Sequence, residues 1–215
     1  MNCARVKIKI CGLTNIDDAA KSVYYGATAL GFNFYKKSPR YVSPSKVRRI
    51  VEALPPLVTP VGIFVNQKER AIREILKFTR IATVQFHGEE DQVFCKRFSD
   101  VKVIKAFRVG PGFDPESVKK FKVDAYLFDT FQADQIGGTG KTFSWEVISA
   151  VKWDRPVILS GGLNHENVFQ AVAAVKPYAV DVASGVEKMP GIKNHRMIQA
   201  FCEAVHFLSE KQPGN

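Results

Sequence analysis

Two side chains in this sequence stand where chemistry could be done. Cys11 closes the run "VKIKIC" and is followed at once by Gly12, while Asp129 closes "AYLFD". Alternation over Val6, Ile8 and Ile10 reads as a half-buried strand, and Thr14 or Asn15 ahead of "IDDAAKSVYYGA" supplies a helix N-cap, so Cys11 falls at the carboxyl end of a strand. There it is either a small buried apolar residue, as most free cysteines are, or a thiol placed to react. Asp129 poses the same choice, because a carboxylate ending an apolar run has to be hydrogen-bonded, paired or working. Three glycine-bearing loops, "GGTGK" (137–141), "SGG" (160–162) and "SGV" (184–186), leave backbone N–H groups bare enough to meet a phosphate. A nucleotide P-loop is excluded, since that motif needs glycine at position 135 and the chain has Gln135.

The elements that must position these groups follow from the hydrophobic pattern. Strand patterns are expected at 6–10, 28–35, 58–66, 82–88, 101–107, 125–130, 156–162 and 179–185. Helical patterns lie between and after them, at 16–25, 44–53, 68–79, 90–98, 114–121, 144–151, 164–175 and 193–208. Runs such as "VGIF" and "VILS" are apolar throughout, as in strands covered on both faces. Strict alternation with right-handed crossovers closes most naturally as a single (β/α)8 TIM barrel over 1–215, with its core at about 6–208. An open doubly wound sheet is weaker, because no GxGxxG follows the first strand. In the barrel every strand's carboxyl end faces one rim, which gathers Cys11, His87, Asp129, Gly161, Gly162, Ser184 and Gly185. The glycine loops then follow strands six, seven and eight, and the last two are where this fold holds phosphate. The irregular stretch 131–143 is the longest, and a loop of that length in a compact domain is usually functional.

Composition narrows the class. With 46% hydrophobic residues over 215 positions the chain can bury a full core. No run approaches the ~18 apolar residues of a membrane span, and Lys7 and Lys9 interrupt any secretory signal. Four cysteines without CxxC spacing give neither a disulfide framework nor a zinc ribbon, so a reducing cytoplasm is expected. No His/Cys/Asp/Glu cluster with metal spacing occurs. The net charge of +10 is spread along the chain without a basic arm or nucleic-acid motif, and fits a solvated basic exterior or a small anionic substrate.

The stretches "KICGLTN", "LGFNFYKKSPRYVS", "VGIFVN", "VQFHGEE", "LFDT", "GGTGKTFSW", "LSGGLNHENV" and "VDVASGVE", in this order, closely resemble phosphoribosylanthranilate isomerase, over about residues 6 to 206. The resemblance implies a ribulose-phosphate-binding barrel that performs an Amadori rearrangement on one small anionic substrate, N-(5-phosphoribosyl)anthranilate, without cofactor or metal. It makes Cys11 the general base and Asp129 the general acid. It gives Arg40 the anthranilate carboxylate, and Gly161, Gly162, Ser184 and Gly185 the phosphate, with Gly140 and Lys141 covering the sugar phosphate. Asp181 either orients a substrate hydroxyl or satisfies buried backbone groups, and His87 has a peripheral place on the substrate side. Ala183 departs from a serine common in the family, which leaves only its backbone N–H to contribute. A working base asks for a thiol lowered by nearby positive charge, and a working acid has to hold its proton. Neither nucleic acid nor membrane is expected as a partner, and the chain is a monomer or homodimer. The alternatives are a histidine-pathway isomerase or indole-glycerol-phosphate synthase, whose acid and base differ, and a non-catalytic basic binder, which would have no need of Cys11, Asp129 and Arg40 together.

Overall fold

The computed structural model describes residues 5–129 and 143–210. Eight parallel strands, β1 (Lys7–Cys11), β2 (Ala29–Asn33), β3 (Thr59–Phe64), β4 (Thr83–Phe86), β5 (Lys102–Arg108), β6 (Ala125–Asp129), β7 (Val157–Ser160) and β8 (Ala179–Val182), pair in chain order and close into a barrel. Helices α1 (Ile16–Tyr24), α2 (Pro44–Glu52), α3 (Glu69–Thr79), α4 (Gln92–Lys96), α5 (Pro115–Lys119), α6 (Phe143–Ser149), α7 (Val168–Val175) and α8 (His195–Glu210) follow the strands. The expected fold is the one found, with two differences of detail. The expected eighth strand stops at Val182, and Ser184–Val186 forms a 3-10 turn. After it comes a small antiparallel hairpin, β9 (Glu187–Met189) and β10 (Ile192–Lys193), that the hydrophobic pattern did not show. Among the described residues no helix is long and apolar enough to cross a membrane.

The first strand reverses the simplest reading of its alternation. Ile8 and Ile10 pack in the large apolar layer between sheet and helices, so Lys7, Lys9 and Cys11 occupy the opposite face, toward the barrel lumen. Lys9 is only 2% exposed. A lysine inside a barrel has to be paired, and Lys9 is: its Nζ lies 2.7 Å from Asp181 Oδ1, on the strand that closes the barrel against β1. The lower lumen is filled by small and branched residues, among them Ala29, Ala106, Ala125, Ile158 and Ala179, because the narrow interior has little room for aromatic rings.

The buried phenylalanines of the described strands lie outside the lumen. Phe128 is fully buried and packs against Phe107, Phe113 and Trp153 between strands and helices. Local signals start the helices: Asn15 caps α1 by accepting from Asp18 N at 2.8 Å, and Ser43 with Pro44 at the first helical position opens α2. Truncating Phe128 to alanine leaves a cavity in this aromatic layer and is expected to cost about 3–5 kcal/mol in urea unfolding. A cost of about 1 kcal/mol or less would mean that the layer does not carry the outer packing.

Candidate active site

The carboxyl-end mouth of the barrel collects charged groups that the chain supplies from its two ends. Cys11 is partly exposed there, at the top of β1. Gly31, its partner on β2, leaves the thiol its space: a Cβ at Gly31 would come within 3.1 Å of Sγ. Gly12 answers for the residue that follows. It adopts φ +77°, and a Cβ there would lie 2.6 Å from Arg40 Cδ, so the glycine both makes the turn and lets the arginine side chain cross it. Arg40 is thereby held over the chain next to the thiol.

Arg40 is tied by a carboxylate that the sequence reading left without a role. Its Nε lies 2.9 and 3.1 Å from the two oxygens of Glu187, and its Nη2 lies 2.6 Å from Glu187 Oε2. Glu187 also accepts from Lys193 Nζ at 3.0 Å and from Gly191 N at 3.2 Å. Burial works against the Glu187 carboxylate, but Arg40 and Lys193 outweigh it and hold its pKa below the ordinary value. Burial in turn pushes the Lys193 ammonium below the usual lysine value, despite the attraction of Glu187.

Around the thiol, burial is the largest influence and raises the Cys11 pKa. Lys9 and Lys193 pull it down, and Asp181 adds to the rise. The expectation of a lowered thiol is therefore corrected for the free protein. The positive charge is present, but it is already engaged by carboxylates. Lys9 holds its proton above the ordinary lysine value, because Asp181 and Cys11 together overcome its desolvation. Cys95 and Cys202 are buried, with thiols pushed up to about 11 and about 12, as in structural cysteines.

Asp181 is engaged by side chains in the free protein. Its carboxylate, 4% exposed, binds Lys9 through one oxygen and accepts from Ser160 Oγ at 3.1 Å through the other. His87 faces Asp129 at the rim. Its Nε2 is 3.3 Å from Asp129 Oδ2, and its Nδ1 is 2.9 Å from Gln85 Nε2, inside the barrel. Lys9, Gln85, Glu187 and Lys193 were missed. Lys9 and Glu187 stand inside the motifs "KICGLTN" and "VDVASGVE", but only their burial marks them.

Two of the three glycine loops, those after β7 and β8, fall within the described residues. Gly161 and Gly162 take φ of +91° and +63°, and a Cβ at Gly162 would meet no described atom within 4 Å. Gly185 is required for another reason: a Cβ there would lie 1.9 Å from the Leu163 carbonyl oxygen, so the loops after β7 and β8 touch backbone to backbone. Ser184 and Gly185 begin a 3-10 turn, whose first N–H groups have no partner within the turn. Gly140 and Lys141, with most of the 131–143 loop, lie outside the described residues. Asp17, Asp18 and His195 bring three metal-capable side chains within 4.8 Å. The Asp18 oxygens are already taken, by Asn15, His195 and the backbone N–H of Lys193, which makes the group a clasp between α1 and the start of α8.

The profile of one family, N-(5'-phosphoribosyl)anthranilate (PRA) isomerase, matches residues 8–204. The N-(5'-phosphoribosyl)anthranilate isomerase of Geobacter metallireducens is 44% identical over 196 residues, covering 91% of this chain and 96% of that one. The crystal structure of the phosphoribosyl anthranilate isomerase from Thermotoga maritima superposes with a TM-score of 0.84 at 44% identity, over 93% of this chain and 98% of that one. A phosphoribosyl anthranilate isomerase crystallised with reduced 1-(o-carboxyphenylamino)-1-deoxyribulose 5-phosphate gives 0.81 at 40% identity, with the same coverage.

The charge pattern around sulfur has a direct readout. Alkylation of Cys11 by iodoacetamide, followed by mass spectrometry across pH, is expected to show a midpoint above the ordinary thiol value of about 8.5. Asp181→Asn is expected to bring that midpoint down, because this carboxylate disfavours the thiolate. A wild-type midpoint at or below the ordinary value would contradict the burial-dominated site.

Proposed function

Since the chain belongs to the N-(5'-phosphoribosyl)anthranilate isomerase family, we infer that Cys11 is the base and Asp129 the acid of its reaction. The protein is an isomerase of tryptophan biosynthesis, converting N-(5'-phosphoribosyl)anthranilate to 1-(2-carboxyphenylamino)-1-deoxyribulose 5-phosphate. The observation that carries the assignment is the meeting, at one barrel mouth, of a thiol on β1, a carboxyl on β6 and a guanidinium folded over Gly12.

The rearrangement needs two opposed proton transfers. Asp129 gives its proton to the furanose oxygen as the C1′–O bond breaks, which leaves an open-chain iminium ion. The Cys11 thiolate then removes the proton from C2′. The resulting enolamine takes a proton at C1′ from the Cys11 thiol while its C2′ hydroxyl gives a proton back to the Asp129 carboxylate and becomes a carbonyl, which restores both groups. A thiol whose proton is held tightly by burial has to be ionised before this step, and Lys9 and Lys193 are the cations within reach that favour the thiolate. His87, against Asp129 Oδ2, fixes the carboxyl's direction at the rim. The loops of Gly161, Gly162, Ser184 and Gly185 receive the phosphate, and Arg40 the anthranilate carboxylate, for which a guanidinium fork is the matching donor.

A cytosolic setting agrees with described cysteines that are all free thiols. Monomer and homodimer both leave the site whole, since every residue named belongs to one chain.

Purified protein is expected to consume phosphoribosylanthranilate, followed by its fluorescence, without added metal or cofactor. Cys11→Ala and Asp129→Asn are each expected to lower the rate by roughly a hundred- to ten-thousand-fold. A variant that stays within about tenfold of wild type would remove that residue from its role.

A further inference from the structure

Arg40 has five N–H donors arranged in a plane, and their distribution is informative. Glu187 takes the edge formed by Nε and Nη2, with three contacts between 2.6 and 3.1 Å. The other edge, formed by Nη1 and the second hydrogen of Nη2, has no partner among the described residues. A guanidinium so held offers one complete two-pronged edge to an incoming carboxylate. Its side chain is 25% exposed, whereas that of Glu187 is 4% exposed. The exposed partner is thus steered by the buried one.

Glu187 is itself fixed from several directions. It faces Lys193 across the β9–β10 hairpin, bonds its ammonium and takes the N–H of Gly191. The hairpin is stitched to the loop after β1 by Thr14 Oγ1 to the Gly191 carbonyl at 2.6 Å, and to α1 by Lys193 N to Asp18 Oδ2 at 2.9 Å. Charge supports the same reading. A substrate carboxylate arriving beside Glu187 alone would be repelled, but Lys193 offsets that carboxylate. Arg40, Glu187 and Lys193 together carry a net single positive charge, which one further carboxylate neutralises.

We propose that Glu187, compensated by Lys193, is a positioning residue that presents the open edge of Arg40 to the substrate's ring carboxylate and thereby selects aromatic amines carrying an ortho carboxylate. The inference rests on the reading of Arg40 as the carboxylate ligand, and its test separates the two. The probes are reduced 1-(o-carboxyphenylamino)-1-deoxyribulose 5-phosphate and the counterpart with an unsubstituted phenyl ring, each titrated by calorimetry into the full-length protein. Wild type is expected to prefer the carboxylated probe by roughly 10- to 100-fold, the range of a charge-assisted hydrogen bond. Glu187→Gln is expected to compress that preference to about threefold or less, while the phenyl probe binds within about twofold of its wild-type affinity. If that variant does not fold, Lys193→Met leaves Glu187 on Arg40 without compensation and is expected to weaken the carboxylated probe alone. An undiminished preference in a folded Glu187→Gln protein, or an equal loss of both probes, would overturn the proposal. A preference that survives in Arg40→Ala would instead show that the carboxylate lies elsewhere, and the underlying reading would fall first.

Discussion

The buried ion pair between Lys9 and Asp181 is the constraint around which the site is arranged. The two residues are register partners on β1 and β8, the strands that close the barrel, and their charged atoms meet at 2.7 Å with almost no solvent exposure. Removing one charge from such a pair strands the other, at a cost of about 3–5 kcal/mol. A register slip at this seam would do the same, because shifting a strand by one residue turns its side chains to the opposite face. The pair therefore acts against misclosure at the seam where first and last strands have to find each other. It also settles the neighbours. Asp181 is held in the lumen where Ser160 can reach it, and Cys11 is set one lumen-facing position above Lys9.

The same economy of charge governs the thiol. Cations within reach of Cys11 have assigned carboxylates: Lys9 has Asp181, and Lys193 shares Glu187 with Arg40. Each of these cations already faces an anion, and desolvation outweighs their pull, so the thiol pKa is raised. Among the described groups around the thiol, Lys9 and Asp181 balance each other, while Arg40, Lys193 and Glu187 leave one positive charge. The scattered charge of +10 has no part in this balance, which is set by a few buried groups.

The sequence pattern was sufficient for the barrel, because apolar runs at regular spacing with helices between them leave few ways to bury both faces. Strand ends carried the positions of Cys11, His87 and Asp129, and the glycine loops carried theirs. Less legible was the direction of each charged side chain. The Lys/Ile alternation of "VKIKI" looks the same whether its lysines meet solvent or the lumen, and only the neighbouring strands decide. Glu187 gives the sharper case. Its role depends on Arg40, 147 positions earlier, and on a hairpin too short to leave a periodic signal. Pairing hid it, since a carboxylate read alone in a loop carries no mark of the arginine it holds. The lowered thiol failed for a related reason: cations were visible in the sequence, but their existing partners were not.

These distances along the chain also say when the site can exist. Lys9 meets Asp181 across 172 positions, Thr14 meets Gly191 across 177, and Asp18 meets Lys193 across 175. The β1 side of the mouth thus leans on contacts between the first forty residues and the last thirty-five. Nothing local can assemble it, because α1, α2 and the terminal hairpin bury too little by themselves to pay the ordering entropy. Closure of β8 on β1 brings the hairpin against the loop after β1, and that contact in turn seats Glu187 on Arg40. Completing the barrel and pairing Arg40 with Glu187 therefore depend on the same long-range contacts. Residues at this edge of the mouth are also residues that hold the fold shut, so substitutions among them act on stability as well as on the site.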